Sequence, residues 1–249
     1  MNVEIYADAR LLGVAAGAMA AEELRRVLSI QERARIIVAT GASQFETLAQ
    51  LVKEPGIDWA RVDGFHLDEY LGLSGEHPAS FCRYLRERFV SKVPIASFLY
   101  LDGEVAGEEV VRAASNAYET APIDLALIGI GENGHLAFND PPADFLTKDI
   151  YHIVELDEAC RLQQVGEGWF KSLEDVPTHA ISMTVPAILL AKKIICSVPD
   201  ERKAIAVEGA LTGEINPAKP ASILRTHSNV TIMLDNASAS RLELANRSC

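Results

Sequence analysis

Short runs of β-branched and other apolar residues alternate with longer segments of helical periodicity along the chain, and this alternation constrains the fold most. The pattern is typical of βαβ units, in which parallel strands form a sheet and helices cover both of its faces. We predict strands at residues 3–6, 35–40, 62–67, 98–101, 125–130, 151–155, 194–198 and 230–234, and helices at residues 11–28, 45–53, 80–90, 107–118, 185–190 and 201–211.

These elements predict an α/β fold with an open, mainly parallel, doubly wound sheet of the Rossmann-like kind. No linker-like stretch interrupts the 249 residues, so residues 1–249 are interpreted as a single domain. Right-handed crossovers place the loops after the strands at one edge of the sheet, where open α/β folds bind ligands. We therefore expect polar residues at those strand ends to converge.

Composition limits the partners and the location. The formal charge of −12 repels nucleic acid, but local amides and a few cations still allow a small phosphorylated ligand. The N-terminus has no signal-peptide pattern and no apolar run is long enough to cross a bilayer, which predicts a soluble cytoplasmic protein without a membrane partner. Cys82, Cys160, Cys196 and Cys249 are widely spaced, as expected of reduced thiols rather than a disulfide framework or a zinc site.

A candidate anion-binding loop, Thr40-Gly41-Ala42-Ser43, lies between an apolar strand and an amphipathic helix. Small residues let the backbone approach an anion, while free amides, hydroxyl groups and the helix dipole supply donors and positive potential. The alternative is that Ser43 only caps the helix and Gly41 only makes the turn.

Two neighbouring carboxylates, Asp68 and Glu69, follow another strand. Because neighbours on an extended chain point to opposite faces, only one of the pair can face the cleft, and we choose Asp68. A carboxylate there could carry a proton between adjacent carbons of a sugar. Glu69 is kept among the candidate substrate-binding residues, and the alternative for the segment is a solvated acidic loop.

The most informative segment is residues 129–141, in which three glycines follow a strand closely and precede His135. Glycines in such a turn, Gly134 among them, indicate close approach of the backbone to a ligand or unusual dihedral angles. Asp140 could orient the imidazole, and Asn133 could hydrogen-bond either the ring or the ligand. We interpret His135, Asp140 and Asn133 as catalytic residues.

Lys203 lies at the start of a predicted helix that Asp200 caps. A cation in the first turn opposes the helix dipole, and an anionic ligand at that point would remove the conflict. We therefore assign Lys203 to phosphate binding, the alternative being an exposed lysine screened by its acidic neighbours. A Ser/His/Asp nucleophile and a metal site are less well supported, since the chain has neither a G-x-S-x-G elbow nor paired histidines.

Taken in order, these motifs resemble the glucosamine-6-phosphate deaminase/isomerase family, from about the second strand to near the C-terminus. The related 6-phosphogluconolactonases share the fold and the Gly-x-Gly-x-x-Gly-His turn. Two features favour the deaminases: Asp68-Glu69-Tyr70 followed by Glu76-His77-Pro78, and Phe138-Asn139 after the histidine.

The resemblance implies a phosphosugar substrate, no metal and no organic cofactor. It implies that His135, oriented by Asp140 and assisted by Asn133, promotes opening of the pyranose ring, and that Asp68 shuttles a proton between the first two carbons. Ammonia and fructose 6-phosphate would be the products. It also implies a lid segment and a phosphate site at Gly41, Ala42, Ser43 and Lys203, and it leaves open a homo-oligomer.

Four features depart from the family pattern, three at single positions and one in a three-residue segment. Asp140 stands where the family usually has Glu, Asn133 where it usually has Asp, and Gly168 where the lid often has an arginine that helps to hold the phosphate. Ala42-Ser43-Gln44 replaces the commoner Gly/Ser-Thr-Pro of the phosphate loop. Arg161, Gln164 or Lys171 could compensate in the lid. The alternatives are a 6-phosphogluconolactonase, a non-catalytic phosphosugar sensor, and an enzyme for another amino sugar or ketose phosphate.

Overall fold

The computed structural model describes residues 1–166 and 168–242, so Cys249 lies outside the described residues. The strands are β1 (Asn2–Tyr6), β2 (Ala34–Val38), β3 (Val62–His66), β4 (Asp68–Tyr70), β5 (Ser97–Leu99), β6 (Leu125–Ile128), β7 (Tyr151–Glu155), β8 (His179–Met183), β9 (Lys193–Val198) and β10 (Val230–Asp235). The α-helices are α1 (Ala9–Ile30), α2 (Phe45–Leu51), α3 (Phe81–Arg88), α4 (Gly107–Glu119), α5 (Glu158–Gly166), α6 (Val185–Leu189) and α7 (Ala204–Leu211).

Seven strands form the main sheet in the order β1-β10-β9-β6-β2-β3-β5, and every neighbouring pair is parallel. After β2 the chain adds β3 and β5 on one side, then returns to add β6 on the other side of β2. The strand order therefore reverses between β2 and β6, which is where open α/β sheets form a ligand crevice. The predicted mainly parallel α/β sheet is confirmed.

A second sheet of three antiparallel strands, in the order β4-β8-β7, packs beside the first. The predicted strand at 151–155 forms as β7, but it belongs to this smaller sheet. Two of its strands, β4 and β8, and helix α5 were not predicted. A three-residue strand such as β4, one residue after β3 ends, carries too little periodicity to be recognised as a separate element.

The main sheet is buried on both faces. Along β2, Ile37 packs into the core on one face, while Ile36 and Val38 pack into the core on the other. Strands of this kind are continuous apolar runs rather than alternating ones, because helices cover both sides. On the second of these faces α1 lies close to α2, and a Cβ at Gly13 would overlap Glu46.

The remaining composition-based expectations concern thiols and the membrane. Cys82, Cys160 and Cys196 are free thiols, as expected of reduced cysteines. Among residues 1–166 and 168–242, we find no helix with the length and apolarity that a bilayer crossing requires.

Gly64 in β3 allows Phe98 of the neighbouring segment to lie directly against the strand. A Cβ at Gly64 would overlap the Phe98 ring, whereas a Cβ at Gly75 would meet nothing within 4 Å. We expect Gly64→Ala to lower the free energy of unfolding by roughly 1–3 kcal/mol through overpacking. Urea unfolding measures this, with Gly75→Ala as the control, and equal stabilities of the two variants would contradict the prediction.

Candidate active site

A cavity of about 380 Å³ opens at the carboxyl edge of the main sheet, where the loops after β2 and β6 separate. The loop after β9, the end of β10, the starts of β4, α1 and α3, and one face of α5 complete its wall. Its lining includes most of the candidate site residues singled out from the sequence, namely Thr40, Gly41, Ala42, Ser43, Asp68, His135 and Lys203. Distant strand ends therefore converge on one cavity, as the βαβ pattern predicts.

The loop after β2 forms part of the cavity wall. Gly41 has φ +90, a conformation that L-residues with side chains rarely adopt, and residues Ala42–Gln44 form a 3-10 turn ahead of α2. Two contacts fix the loop: the Gln44 side-chain amide donates to the carbonyl oxygen of Ile128 at 3.0 Å, and the Tyr84 hydroxyl donates to that of Gly41 at 3.1 Å. The glycine thus permits a tight turn that leaves small residues facing the cavity.

Lys203 also lines the cavity and is only 7% exposed. It ends a 3-10 turn, Glu201–Lys203, and α7 begins one residue later, so the first turn of the predicted helix is 3-10 rather than α. Asp200 caps this turn by accepting a hydrogen bond from the Arg202 amide at 3.0 Å. Asp200 also has φ +88, which indicates a backbone held in place by its surroundings.

Asp68 is the most perturbed carboxyl group of the cavity. It is 7% exposed, and its Oδ1 atom is buried without a hydrogen-bond partner among the described residues. Burial, together with the negative charge of Glu69, raises the pKa of Asp68 to about 8. A carboxyl group that gains and loses its proton near neutral pH is suited to proton transfer.

Glu69 points away from the cavity and serves the protein itself. Its carboxylate accepts hydrogen bonds from the Ser80 hydroxyl at 2.9 Å and the Cys82 amide at 2.7 Å, at the start of α3. It does not line the cavity, so its position does not support the predicted contact with substrate. The alternation of side chains along an extended chain separates the two acidic neighbours, as expected.

The segment after β6 carries the imidazole and its partner carboxylate. His135 Nδ1 lies 3.1 Å from Asp140 Oδ1, and the Asn133 side-chain amide donates to the same oxygen at 2.9 Å. Burial acts to raise the pKa of Asp140, but the hydrogen bond and charge of His135 and the Asn133 contact lower it below its usual value. The carboxylate therefore stays ionised and holds the imidazole in one orientation.

Asn133 also fixes the backbone of this segment, because its side-chain oxygen accepts a hydrogen bond from the His135 amide at 3.0 Å. Gly131 is required for space, since a Cβ there would overlap the His135 ring. Asn133, Gly134 and Asp140 do not line the main cavity; Asn133 and Gly134 border a smaller hollow of about 150 Å³ behind the segment. Their positions support the imidazole rather than contact with a ligand.

Several lining residues were not assigned from the sequence. Arg202 lies in the same turn as Lys203, and Gln163 of α5 joins Gln164, which was considered only as a substitute in the lid. The sequence feature that could have identified Arg202 as a site residue is its position in the turn that follows the end of β9. Of the other proposed substitutes, Arg161 donates to the carbonyl oxygens of Leu173 and Val176 inside the lid region, and neither it nor Lys171 lines the cavity. Gly168 is outside the lining too, and Glu167 of this region lies outside the described residues.

One group of potential metal ligands, His135, Asp140 and Cys160, occurs within the part of the chain that the structure describes. Their ligand atoms lie within 4.8 Å of one another. Burial and the charges of Asp140 and Asp157 raise the pKa of the Cys160 thiol. Within this group Asp140 is already hydrogen-bonded to the imidazole of His135, at 3.1 Å between Oδ1 and Nδ1.

The fold and the cavity are those of an α/β enzyme whose site lies at the carboxyl edge of a parallel sheet. The family described as glucosamine-6-phosphate isomerases/6-phosphogluconolactonase matches residues 7–233, and the chain belongs to this family.

Individual relatives are similar over most of their length. The chain is 38% identical over 205 residues to a glucosamine-6-phosphate deaminase of Exiguobacterium sp., covering 82% of the chain and 79% of the relative. It is 36% identical over 211 residues to the enzyme of the same name from Enterococcus faecalis, covering 82% and 86%. A solved structure of a monomeric glucosamine-6-phosphate deaminase superposes with a TM-score of 0.87 at 30% identity, covering 96% of this chain and 99% of that one.

The lactonase branch shares the fold. A 6-phosphogluconolactonase structure from Trypanosoma brucei superposes with a TM-score of 0.77 at 20% identity, covering 97% of this chain and 98% of that one. This likeness shows the fold alone.

The raised pKa of Asp68 predicts a pH-dependent stability. Between about pH 4 and pH 8 the native state retains a proton that the unfolded state has lost, so this group makes the protein less stable as pH rises. Asp68→Asn removes the ionisable group. The variant should therefore be more stable than the unaltered protein, and the difference in the free energy of unfolding should increase from pH 4 to pH 8, reaching on the order of 2–5 kcal/mol at pH 8. Urea unfolding at pH 5 and pH 8 checks this, with exposed Asp58→Asn as the control. A pH-independent difference would contradict it.

Proposed function

We propose that the protein converts glucosamine 6-phosphate and water into fructose 6-phosphate and ammonia. The observation that carries this proposal is the placement of Asp68 and His135 in the wall of one cavity that Lys203 and the small-residue loop also line. The names of the relatives support the substrate. A cytoplasmic location and the lack of a metal or organic cofactor belong to the same proposal.

The anionic end of the substrate would be held by the loop at residues 40–43 and by Lys203. Backbone amides at small residues and a buried ammonium group offer charge-assisted hydrogen bonds to a phosphate. With the phosphate held there, the sugar carbons would lie in the same cavity as Asp68 and His135.

Ring opening requires a proton to leave the anomeric hydroxyl and a proton to reach the ring oxygen. His135 would transfer these protons, since the ionised Asp140 fixes its Nδ1 side and its ring faces the cavity. Asp140 is a positioning residue in this scheme, because it acts through the imidazole. Although Asp is one methylene shorter than the usual Glu, the structure still brings it within 3.1 Å of the ring.

In the open chain, the Asp68 carboxylate would remove the proton from the second carbon while the carbonyl oxygen of the first carbon gains a proton from solvent, giving an enolamine. Returning that proton to the first carbon leaves a carbon–nitrogen double bond at the second carbon. Addition of water there releases ammonia and leaves the ketose. The same carboxyl group serves as base and then as acid, which a pKa near the working pH favours.

A coupled assay for ammonia and fructose 6-phosphate, run across a panel of phosphosugars, tests the proposal. Release of both products from glucosamine 6-phosphate is the expected result. Activity on 6-phosphogluconolactone alone would overturn it in favour of the lactonase, and binding without turnover of any sugar would indicate a sensor. Products from a different amino sugar phosphate would keep the reaction and change the substrate.

Asp68→Asn should lower kcat for isomerisation by on the order of 10²–10⁴-fold, because the amide cannot carry the proton. In the unaltered enzyme, kcat/KM should rise with pH through an apparent pKa of about 8, since Asp68 must be ionised to act as a base. Steady-state kinetics from pH 6 to pH 9 measure both effects. Full activity of Asp68→Asn would remove Asp68 from the mechanism.

His135→Gln should impair the cyclic substrate more than an analogue that cannot cyclise. A 4,5-dideoxy analogue of glucosamine 6-phosphate has no hydroxyl able to close a five- or six-membered ring. We expect a loss of roughly 10²-fold or more in kcat/KM on glucosamine 6-phosphate and a much smaller loss on the analogue. Equal losses on the two compounds would exclude a role in ring opening.

A further inference from the structure

Two positively charged side chains, those of Lys203 and Arg202, line the cavity, and the proposed mechanism assigns a role only to Lys203. Among the described residues that line it, the lysine and arginine side chains are those of Lys203 and Arg202. Lys203 is 7% exposed, whereas the Arg202 side chain is 46% exposed. The two residues are adjacent in the turn after β9, and both line the cavity.

Asp200 holds the Arg202 side chain in place. Its Oδ2 atom accepts hydrogen bonds from the Arg202 Nη2 atom at 2.7 Å and from the Nε atom at 3.1 Å. Asp200 is itself fixed, since its backbone amide lies 3.2 Å from an Asp235 carboxylate oxygen and its Oδ1 accepts the Arg202 amide. This carboxylate therefore orients the guanidinium group from one edge.

A second carboxylate, that of Glu132, lies against another edge of the guanidinium group. Its Oε1 atom is 3.5 Å from Arg202 Nη1, a longer separation than a good hydrogen bond allows, and its side chain is 34% exposed. A long, partly exposed ion pair contributes little to stability, so a better anion can replace it. A phosphate group carries more charge than a carboxylate and fits the planar donor fork of arginine.

We propose that Arg202 is a substrate-binding residue that exchanges Glu132 for the phosphate of the sugar while Asp200 keeps the guanidinium group oriented. The inference rests on the proposed function for the identity of the ligand, a sugar phosphate. Lys203 supplies a buried point charge at the anion, and Arg202 supplies a bidentate contact from the mouth of the cavity.

The exchange also connects the anion to the catalytic segment. The Glu132 amide donates to the Gln163 side-chain oxygen of α5 at 3.0 Å, and the next residue, Asn133, holds Asp140. Binding of phosphate at Arg202 releases the Glu132 side chain at the point where α5 and the His135 segment meet.

Affinity for glucitol 6-phosphate tests the proposal, because this open-chain compound has no carbonyl group and cannot react. Calorimetry should show binding to Arg202→Gln weakened roughly 10- to 100-fold relative to the unaltered protein. Arg202→Lys keeps the positive charge but loses the paired donors of the guanidinium group, so its affinity should lie between those of the unaltered protein and Arg202→Gln. The matched control is Arg241→Gln, which removes a similarly exposed arginine that pairs with Glu208 outside the cavity.

Two further measurements separate phosphate binding from a structural role of Arg202. Glu132→Gln should tighten binding of glucitol 6-phosphate several-fold, because the competing carboxylate is gone. In turnover, Arg202→Gln should raise KM for glucosamine 6-phosphate and leave kcat within about threefold, as expected when an interaction equal in ground and transition states is lost.

Unchanged affinity in both Arg202 variants would overturn the inference, and so would an equal weakening for unphosphorylated glucitol. If Arg202→Gln does not fold, the comparison of Arg202→Lys with the unaltered protein decides the question. Since the binding experiment needs no turnover, a protein that binds the phosphate through Arg202 but releases no ammonia would disprove the proposed reaction and leave this inference standing.

Discussion

The site depends on the parallel alignment of the central strands around the point where their order reverses. Ile37 of β2 lies opposite Phe65 of β3 and Ala126 of β6, so all three strands end at the same level. Parallel strands direct their carboxyl ends to one edge, and the loops after β2 and β6 diverge there because the next crossovers run to opposite sides. Residues near positions 40, 68, 135 and 203 meet only for this reason.

The small antiparallel sheet carries Asp68 at the start of β4 and packs against the segment that contains His135. Ser182 of β8 lies opposite Asp68 in the register of the second sheet, and its hydroxyl accepts a hydrogen bond from the Phe138 amide at 3.0 Å. One serine therefore contacts both segments that carry the proposed proton transfers. Burial of these two segments acts on the pKa values of their carboxyl groups, those of Asp68 and Asp140.

Those two carboxyl groups experience opposite environments. Burial and a neighbouring negative charge raise the pKa of Asp68, whereas the contacts with His135 and Asn133 lower the pKa of Asp140. Separate environments that move two pKa values apart are a common way to assign one carboxyl group to proton transfer and another to orientation. The division follows from what surrounds each group, since both are the same residue type.

The sequence by itself determined the α/β class, most of the strands and helices, and the four segments that carry the polar residues, because periodicity and glycine-containing turns are local signals. It also indicated that only one of Asp68 and Glu69 could face the cleft. The tertiary structure decided what depends on distant contacts. It placed β7 in a second sheet, turned Glu69 toward α3, put Asn133 and Gly134 behind the cavity, and brought Arg202 into its wall. Register, burial and the partners of a side chain arise from residues far apart in the chain, so no local pattern specifies them.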